Sequence, residues 1–135
     1  MAGMADLSAE EIRELQQEAV NNLRIKIVRD LIPRKYYSYL RQKRVFDEDD
    51  TELIRSKPTQ KEKSELFLDL VCKHPDGFRA VCEALYDDGT QVHIVEEMTR
   101  EFQRLKQTYI ENKEARKAIA KAAAEREEQI GPRPL

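Results

Sequence analysis

Four side chains of the kind that attack carbonyl carbons or hold zinc stand in this sequence: Cys72, His74, Cys82 and His93. A thiol and an imidazole make a nucleophile and its base when they touch and a third group orients the histidine. Cys72 and His74 are two residues apart, a spacing at which side chains on a helix end do not face each other, and nothing nearby is placed to orient the ring. The four together match no zinc-ligand spacing. The acid run Asp47, Glu48, Asp49, Asp50 offers oxygen ligands, but a calcium loop needs them on alternate residues with a glycine at its sixth position, and here the run reads better as a helix start. There is no glycine-rich phosphate loop, nucleophile elbow or paired-histidine zinc helix. The sequence therefore predicts a non-enzymatic protein with no metal and no cofactor, in which Cys72 and Cys82 are two buried reduced thiols and His74 is a capping residue.

The elements that would position these residues are helical. Charged residues make up 37% of the 135 and aromatics 7%, with four glycines, five prolines and no tryptophan. Such a composition suits one small helical bundle with an ionised surface, because an all-β domain needs more turn residues. Ser8 followed by Glu11 is a capping box, and Ile12, Leu15, Ala19, Leu23, Ile27 and Leu31 recur every three or four residues, which predicts one first helix running to about Leu31. Pro33 stops it and suits the first turn of a short second helix to Lys43, burying Tyr36, Tyr39 and Leu40. Asp47 caps a third to about Ser56, with Leu53 and Ile54 as core contacts.

Pro58 breaks the chain again, and Thr59 with Glu62 repeats the capping box ahead of Leu66, Phe67, Leu70 and Val71. His74, Pro75 and Asp76 open a fifth helix with Phe78, Val81, Cys82 and Leu85 on one side, ended by Gly89 in a left-handed conformation. Thr90 caps a sixth through Val92, Val95, Met98, Phe102, Leu105 and Tyr109. Beyond Ile110 the apolar stripe fades, so Glu111 to Gln129 is expected to stay helical on propensity and charge pairs until Gly131, Pro132 and Pro134. The organisation expected is a tail over 1–7, a domain over 8–109 and a polar helical extension and tail over 110–135.

The net charge of -2 conceals a local split. From Arg24 to Arg44 there are eight basic residues (Arg24, Lys26, Arg29, Arg34, Lys35, Arg41, Lys43 and Arg44) against Asp30, a local net of +7, and from Asp47 to Glu52 there are five acids and no base. Ordinary helix decoration would account for such runs. Opposite blocks on neighbouring elements also give a domain a positive and a negative side, able to bind a second copy head to tail, and a contact of that kind that does not close generates a filament. The acids beside the basic block, with a pI of about 5.8, argue against a nucleic-acid duplex as partner. With no signal-like start and no apolar run long enough for a membrane span, the expectation is a cytoplasmic protein with no membrane or nucleic-acid partner.

The order of features resembles a known family. Leu40-Arg41 in the second helix, Asp49-Asp50-Thr51-Glu52 in the third, Leu68-Asp69 in the fourth and Pro75-x-Gly77-Phe78 opening the fifth are similar to the caspase recruitment domain, or CARD, of the death-fold superfamily. Ala19-Val20-Asn21-Asn22-Leu23-Arg24 and Tyr39-Leu40-Arg41-Gln42-Lys43-Arg44-Val45 resemble in particular the B-cell lymphoma type of CARD adaptor, which joins coiled-coil CARD scaffolds to the MALT-lymphoma paracaspase. The similarity runs from about Leu7 to Lys106, and Phe78 to Leu85 also resembles the prodomains of initiator caspases.

The resemblance implies a six-helix antiparallel bundle with an extended last helix. It implies that Lys35 and Arg41 lie on an assembly surface facing Asp49, Asp50 and Glu52 of the next subunit or scaffold, with Lys63 a further basic position on the fourth helix; Arg34, Lys43, Arg44 and Lys61 are expected to belong to the same interaction surface. Leu23, Ile27, Leu40, Ile54, Leu70, Phe78 and Leu85 would be structural core. Glu48 and Glu62 stand where that adaptor type is basic, so pairing there should differ. The function implied is an adaptor that polymerises and activates a paracaspase and NF-kappa-B type of pathway; the alternative is an apoptotic caspase-recruiting adaptor or decoy that binds one to one.

Overall fold

The computed structural model describes residues 7–130, and all regular structure in that span is helical. Seven α-helices follow one another: α1 (Ala9–Asn22), α2 (Arg24–Asp30), α3 (Tyr37–Gln42), α4 (Glu48–Arg55), α5 (Gln60–Lys73), α6 (Gly77–Asp88) and α7 (Val92–Ile130). A 3-10 turn over Pro33–Lys35 precedes α3. Residues 1–6 of the expected tail over 1–7 and the stop at Gly131, Pro132 and Pro134 lie outside the described residues.

The capping box at the start of α1 is present in both directions. Glu11 N–H donates to Ser8 Oγ at 3.0 Å, and Ser8 N–H donates to the Glu11 carboxylate at 2.9 Å. The single first helix expected to reach Leu31 is instead two, broken at Leu23 (φ -103, ψ 5). Asn21 and Asn22 precede the break. Asparagine is a poor helix former because its amide competes for hydrogen bonds, and here both amides bond other groups, Asn21 the Arg24 guanidinium at 3.2 Å and Asn22 the Glu101 carboxylate at 2.9 Å. Arg24 then reaches Asp69 on α5 at 2.9 Å, which sets the direction of α2. Apolar residues four apart satisfy a straight or a bent helix equally, so periodicity carried no sign of the break.

Pro33 opens the 3-10 turn rather than an α-helix, and α3 starts four residues later. Asp47 caps α4 as expected, with Asp50 as its reciprocal partner at 2.8 and 3.0 Å. Thr59 caps α5 through Glu62 N–H at 3.1 Å, but the returning half of the box is not made. Thr90 does not cap the last helix. Gln91 occupies that place, while the Thr90 hydroxyl bonds the Asp88 carboxylate and accepts from Lys35 Nζ at 2.9 Å.

Phe67 sits in the centre of the core, edge-on to Phe46 at 5.3 Å and tilted against Tyr36 at 6.5 Å between ring centroids. Val20, Ile27, Leu31, Leu40, Ile54, Leu68, Val71, Val81, Leu85, Ile94 and Met98 surround these rings. Chief contacts run α1 to α7, α6 to α7, α4 to α5, α5 to α6, α2 to α5 and α3 to α6. Gly77 has a steric reason to be glycine: a Cβ there would fall 1.8 Å from the Val71 carbonyl oxygen in the last turn of α5. Gly89 supplies the left-handed C-cap of α6 at φ +80.

Some expected core assignments change, and Tyr39, expected buried, is half-buried. Leu53 is 47% exposed and Thr51 takes its place inside, fully buried. Cys72 and Cys82 are half-buried rather than buried.

The long helix α7 leaves the bundle after about Lys113. Its side chains from Glu114 to Arg126 are exposed, which fits the faded stripe. At 1.5 Å per residue the projecting part is about 25 Å long.

Candidate protein-interaction surface

No cluster of His, Cys, Asp and Glu among the described residues has the arrangement of a metal site. Burial pushes the Cys82 thiol up to about 12, with Glu83 adding to it, and burial raises Cys72 as well, so neither carries the thiolate a nucleophile needs. His74 is the C-cap of α5, and its Nδ1 accepts from Asp76 N–H at 3.0 Å. The residues with chemistry left to do are the charged ones.

The fold sorts the basic block. Arg24 pairs with Asp69 at 2.9 Å, Lys26 with Glu97 at 3.5 Å and Arg29 with Asp30 at 3.1 Å, so these three are consumed inside the molecule. Lys35 donates to Thr90, and Lys43 lies 5.6 Å over the Tyr39 ring. Arg34, Arg41 and Arg44 are exposed and make no ion pair among the described residues. The acids divide likewise: Asp47 and Asp50 are occupied in the capping box of α4, whereas exposed Glu48, Asp49 and Glu52 have no partner in the same sense. Elsewhere carboxylates are held well below their usual range by such partners. Glu11 falls to about 2 through the Ser8 backbone, Tyr109 and Lys113, and Glu101 to about 2 through Arg104 and Asn22.

The conformation of the basic end is itself unusual. Arg44 adopts the left-handed region at φ 60. Val45 N–H reaches back to the Leu40 carbonyl at 2.9 Å and Arg44 N–H to Arg41 at 3.0 Å, a Schellman turn that normally uses glycine at the Arg44 position. It ends α3 with the side chains of Val45 and Phe46 buried and those of Arg41, Lys43 and Arg44 exposed. This end of α3 lines a groove of about 210 Å³ with Asp76, Arg79 and Glu83 of the α6 side. Acidic α4 lies instead on α5, so the two signs stand over different neighbours. Lys61 lines an open groove of about 780 Å³ with Lys57, Glu62 and Asp69, while Lys63 is half-buried on the first turn of α5.

Of the hydrophobic positions named from sequence, Ile27, Leu40, Ile54 and Leu85 are at most 2% exposed. Leu23, Leu70 and Phe78 are half-buried and pack against that cluster from outside.

Seven helices with one bent pair, a capped acidic third unit and a glycine pressed on the fourth invite comparison with known proteins. The profile of the caspase recruitment domain matches residues 17–101. The chain belongs to the CARD family. Its bent pair α1–α2 is the first helix of the six expected, and α3 to α7 are the remaining five. This CARD is similar to B-cell lymphoma/leukemia 10 of Homo sapiens, 24% identical over 106 residues, covering 78% of this chain and 46% of that protein. It is also similar to CARD domain-containing protein E10 of Equine herpesvirus 2, 28% identical over 98 residues, covering 73% of this chain and 32% of that protein. The chain therefore spans less than half the length of either relative. CARDs are protein-interaction modules that bind other CARDs. No helix described is long and apolar enough to cross a membrane.

Three features that position this surface were missed by sequence reasoning. Buried Gln91 accepts from Tyr36 Oη at 2.6 Å and Ile32 N–H at 3.2 Å and donates to the Asp30 carbonyl at 2.5 Å, tying the start of α7 to the turn that carries Arg34 and Lys35. Arg13 and Gln17 of α1 bond the Lys73 and Cys72 carbonyls at 2.5 and 2.9 Å, closing the end of α5. Glu11 bonds both Tyr109 and Lys113 where α7 leaves the bundle. Gln91 follows a threonine that is a better cap by type, and the other contacts join residues 55 to 102 apart, so no local signal marks them.

Proposed function

We propose that this CARD binds an upstream coiled-coil CARD scaffold and adds further copies of itself head to tail in a helical filament, and that the filament activates the MALT-lymphoma type of paracaspase and an NF-kappa-B-type pathway. The observation that carries the reading is the placement of exposed Arg34, Arg41 and Arg44, which make no ion pair among the described residues, on one side and of exposed Glu48, Asp49 and Glu52, which likewise make none, on the next element. Each set is desolvated at little cost when it meets the other, because the loss of water is offset by a charge-assisted contact, and opposite potentials steer the encounter. Lys35, Lys43, Asp50, Lys61 and Lys63 complete the surface in this reading, which assigns residues 8–109 to the module and 110–135 to a polar extension. The likeness to the human lymphoma-associated relative supports the pathway.

Negative-stain microscopy of purified protein, alone and with a preformed CARD seed, tests it. Wild type is expected to form filaments and Arg41→Glu to remain dispersed. Wild type that stays monomeric at high concentration with a seed refutes polymerisation. A strict one-to-one complex with an initiator-caspase CARD and no filament would instead establish the apoptotic adaptor or decoy reading, which the similarity of Phe78 to Leu85 to those prodomains favours.

A further inference from the structure

The helix that carries the acidic block inverts the ordinary order of burial. Thr51 is fully buried while Leu53 is 47% exposed, although leucine gains far more than threonine from leaving water. The buried hydroxyl is satisfied only by its own helix, donating to the Glu48 carbonyl at 2.9 Å. A core contact of higher value is thus given up within two residues, and Ile54 alone supplies the large apolar anchor of α4. A local rule broken without a gain inside the domain marks a residue kept for something outside it.

The position of Leu53 says what that is. Helical spacing places it beside Asp49 and Asp50, four and three residues before it, with Glu52 adjacent, so the one exposed large apolar side chain of α4 is rimmed by carboxylates. Interfaces have that anatomy: an apolar centre that loses its water supplies affinity, and a charged rim supplies orientation and partner choice.

We propose that Leu53 is the apolar anchor of the acidic contact and seats on the basic end of α3 of a second copy of this chain. Charge complementarity selects that occupant, since Arg41, Lys43 and Arg44 are exposed there and bring long aliphatic stems against which a leucine can pack. The half-buried Tyr39 ring, with Lys43 over it, extends the apolar surface. The inference rests on the head-to-tail reading above and adds to it a non-ionic contact that salt does not screen.

The critical concentration for assembly, measured by sedimentation of the full chain over a series of salt concentrations, tests it. Leu53→Ala is expected to raise that concentration at least about tenfold, as truncation of an interface anchor does. The dependence on salt should stay as in wild type, and so should thermal unfolding. The double variant Asp49→Asn with Glu52→Gln should also raise the concentration but flatten the salt dependence. Leu53→Ala assembling at the wild-type concentration while the carboxylate variant fails overturns the anchor and leaves the head-to-tail reading standing. Both variants assembling like wild type overturns both. Leu53→Ala that self-assembles normally yet no longer responds to a CARD seed overturns the choice of a second copy as occupant.

Discussion

Replacing Gln91 by alanine removes a side chain that no surface argument would single out, and the structure says the cost is large. Three groups lose a partner at once: the Tyr36 hydroxyl, which keeps only Thr90, the Ile32 amide and the Asp30 carbonyl. Tyr36 is 1% exposed, so little solvent reaches its hydroxyl to replace the lost amide. A buried polar group left unsatisfied costs about 1–3 kcal/mol. Ile32 and Asp30 are half-buried and recover part of their loss from solvent, which brings the expected total to about 3–4 kcal/mol. Against a domain stability of about 5–15 kcal/mol that is a loss of about a fifth or more. With a slope of about 2 kcal/mol per molar, the urea midpoint should fall by about 1.5–2 M at constant slope, followed by circular dichroism. Tyr36→Phe should cost only about 1 kcal/mol, because Gln91 keeps Ile32, and the double variant should lose less than the sum of the two. A Gln91→Ala midpoint within about 0.5 M of wild type, or strict additivity with Tyr36→Phe, would refute the view that this amide ties α7 to the basic turn.

The same site sets an alkaline limit. Burial first, then Asp88, pushes the Tyr36 phenol up to about 12, and burial raises Tyr37. The folded state holds these protons more tightly than the unfolded chain, so the stability they contribute is complete below about pH 10 and is lost as pH rises toward 12, visible as a fall in Tm that Tyr36→Phe makes shallower. At the other end, Glu11 and Glu101 are depressed to about 2. Their contribution is present above the unfolded value near 4.5 and is lost as pH falls toward 2, and Glu11→Gln should flatten that acid limb in an unfolding series. Gly77→Ala forces a methyl into the Val71 carbonyl and should destabilise by about 3 kcal/mol in urea unfolding. Arg44→Gly should be neutral or stabilising by up to about 1 kcal/mol, since relief of the left-handed strain exceeds the added freedom of the unfolded chain by little. A loss of stability there would show that the arginine holds a contact the turn geometry does not reveal.

How far the sequence carries can be judged from single elements. The caps at Ser8 and Asp47 and the left-handed stop at Gly89 are local, made among residues a few positions apart, and were legible for that reason. The break at Leu23 was not, because periodicity reads spacing and not direction, and the direction of α2 depends on Arg24 meeting Asp69 on a helix 45 residues away. Leu53 was assigned to the core by residue type, and the structure turned it outward. The charge blocks were visible as runs of letters, but a run does not say which of its members are already paired.

Composition, spacing and capping chemistry thus determined by themselves a charged all-helical domain, its helix order and the two opposite blocks, because each depends on neighbours along the chain. Tertiary structure alone decided that Arg24, Lys26 and Arg29 are spent internally while Arg34, Arg41 and Arg44 make no ion pair among the described residues, that Gln91 holds the basic turn in place, and that Leu53 faces the solvent among carboxylates. Those outcomes depend on which distant group occupies each side chain, and only packing brings such groups within reach.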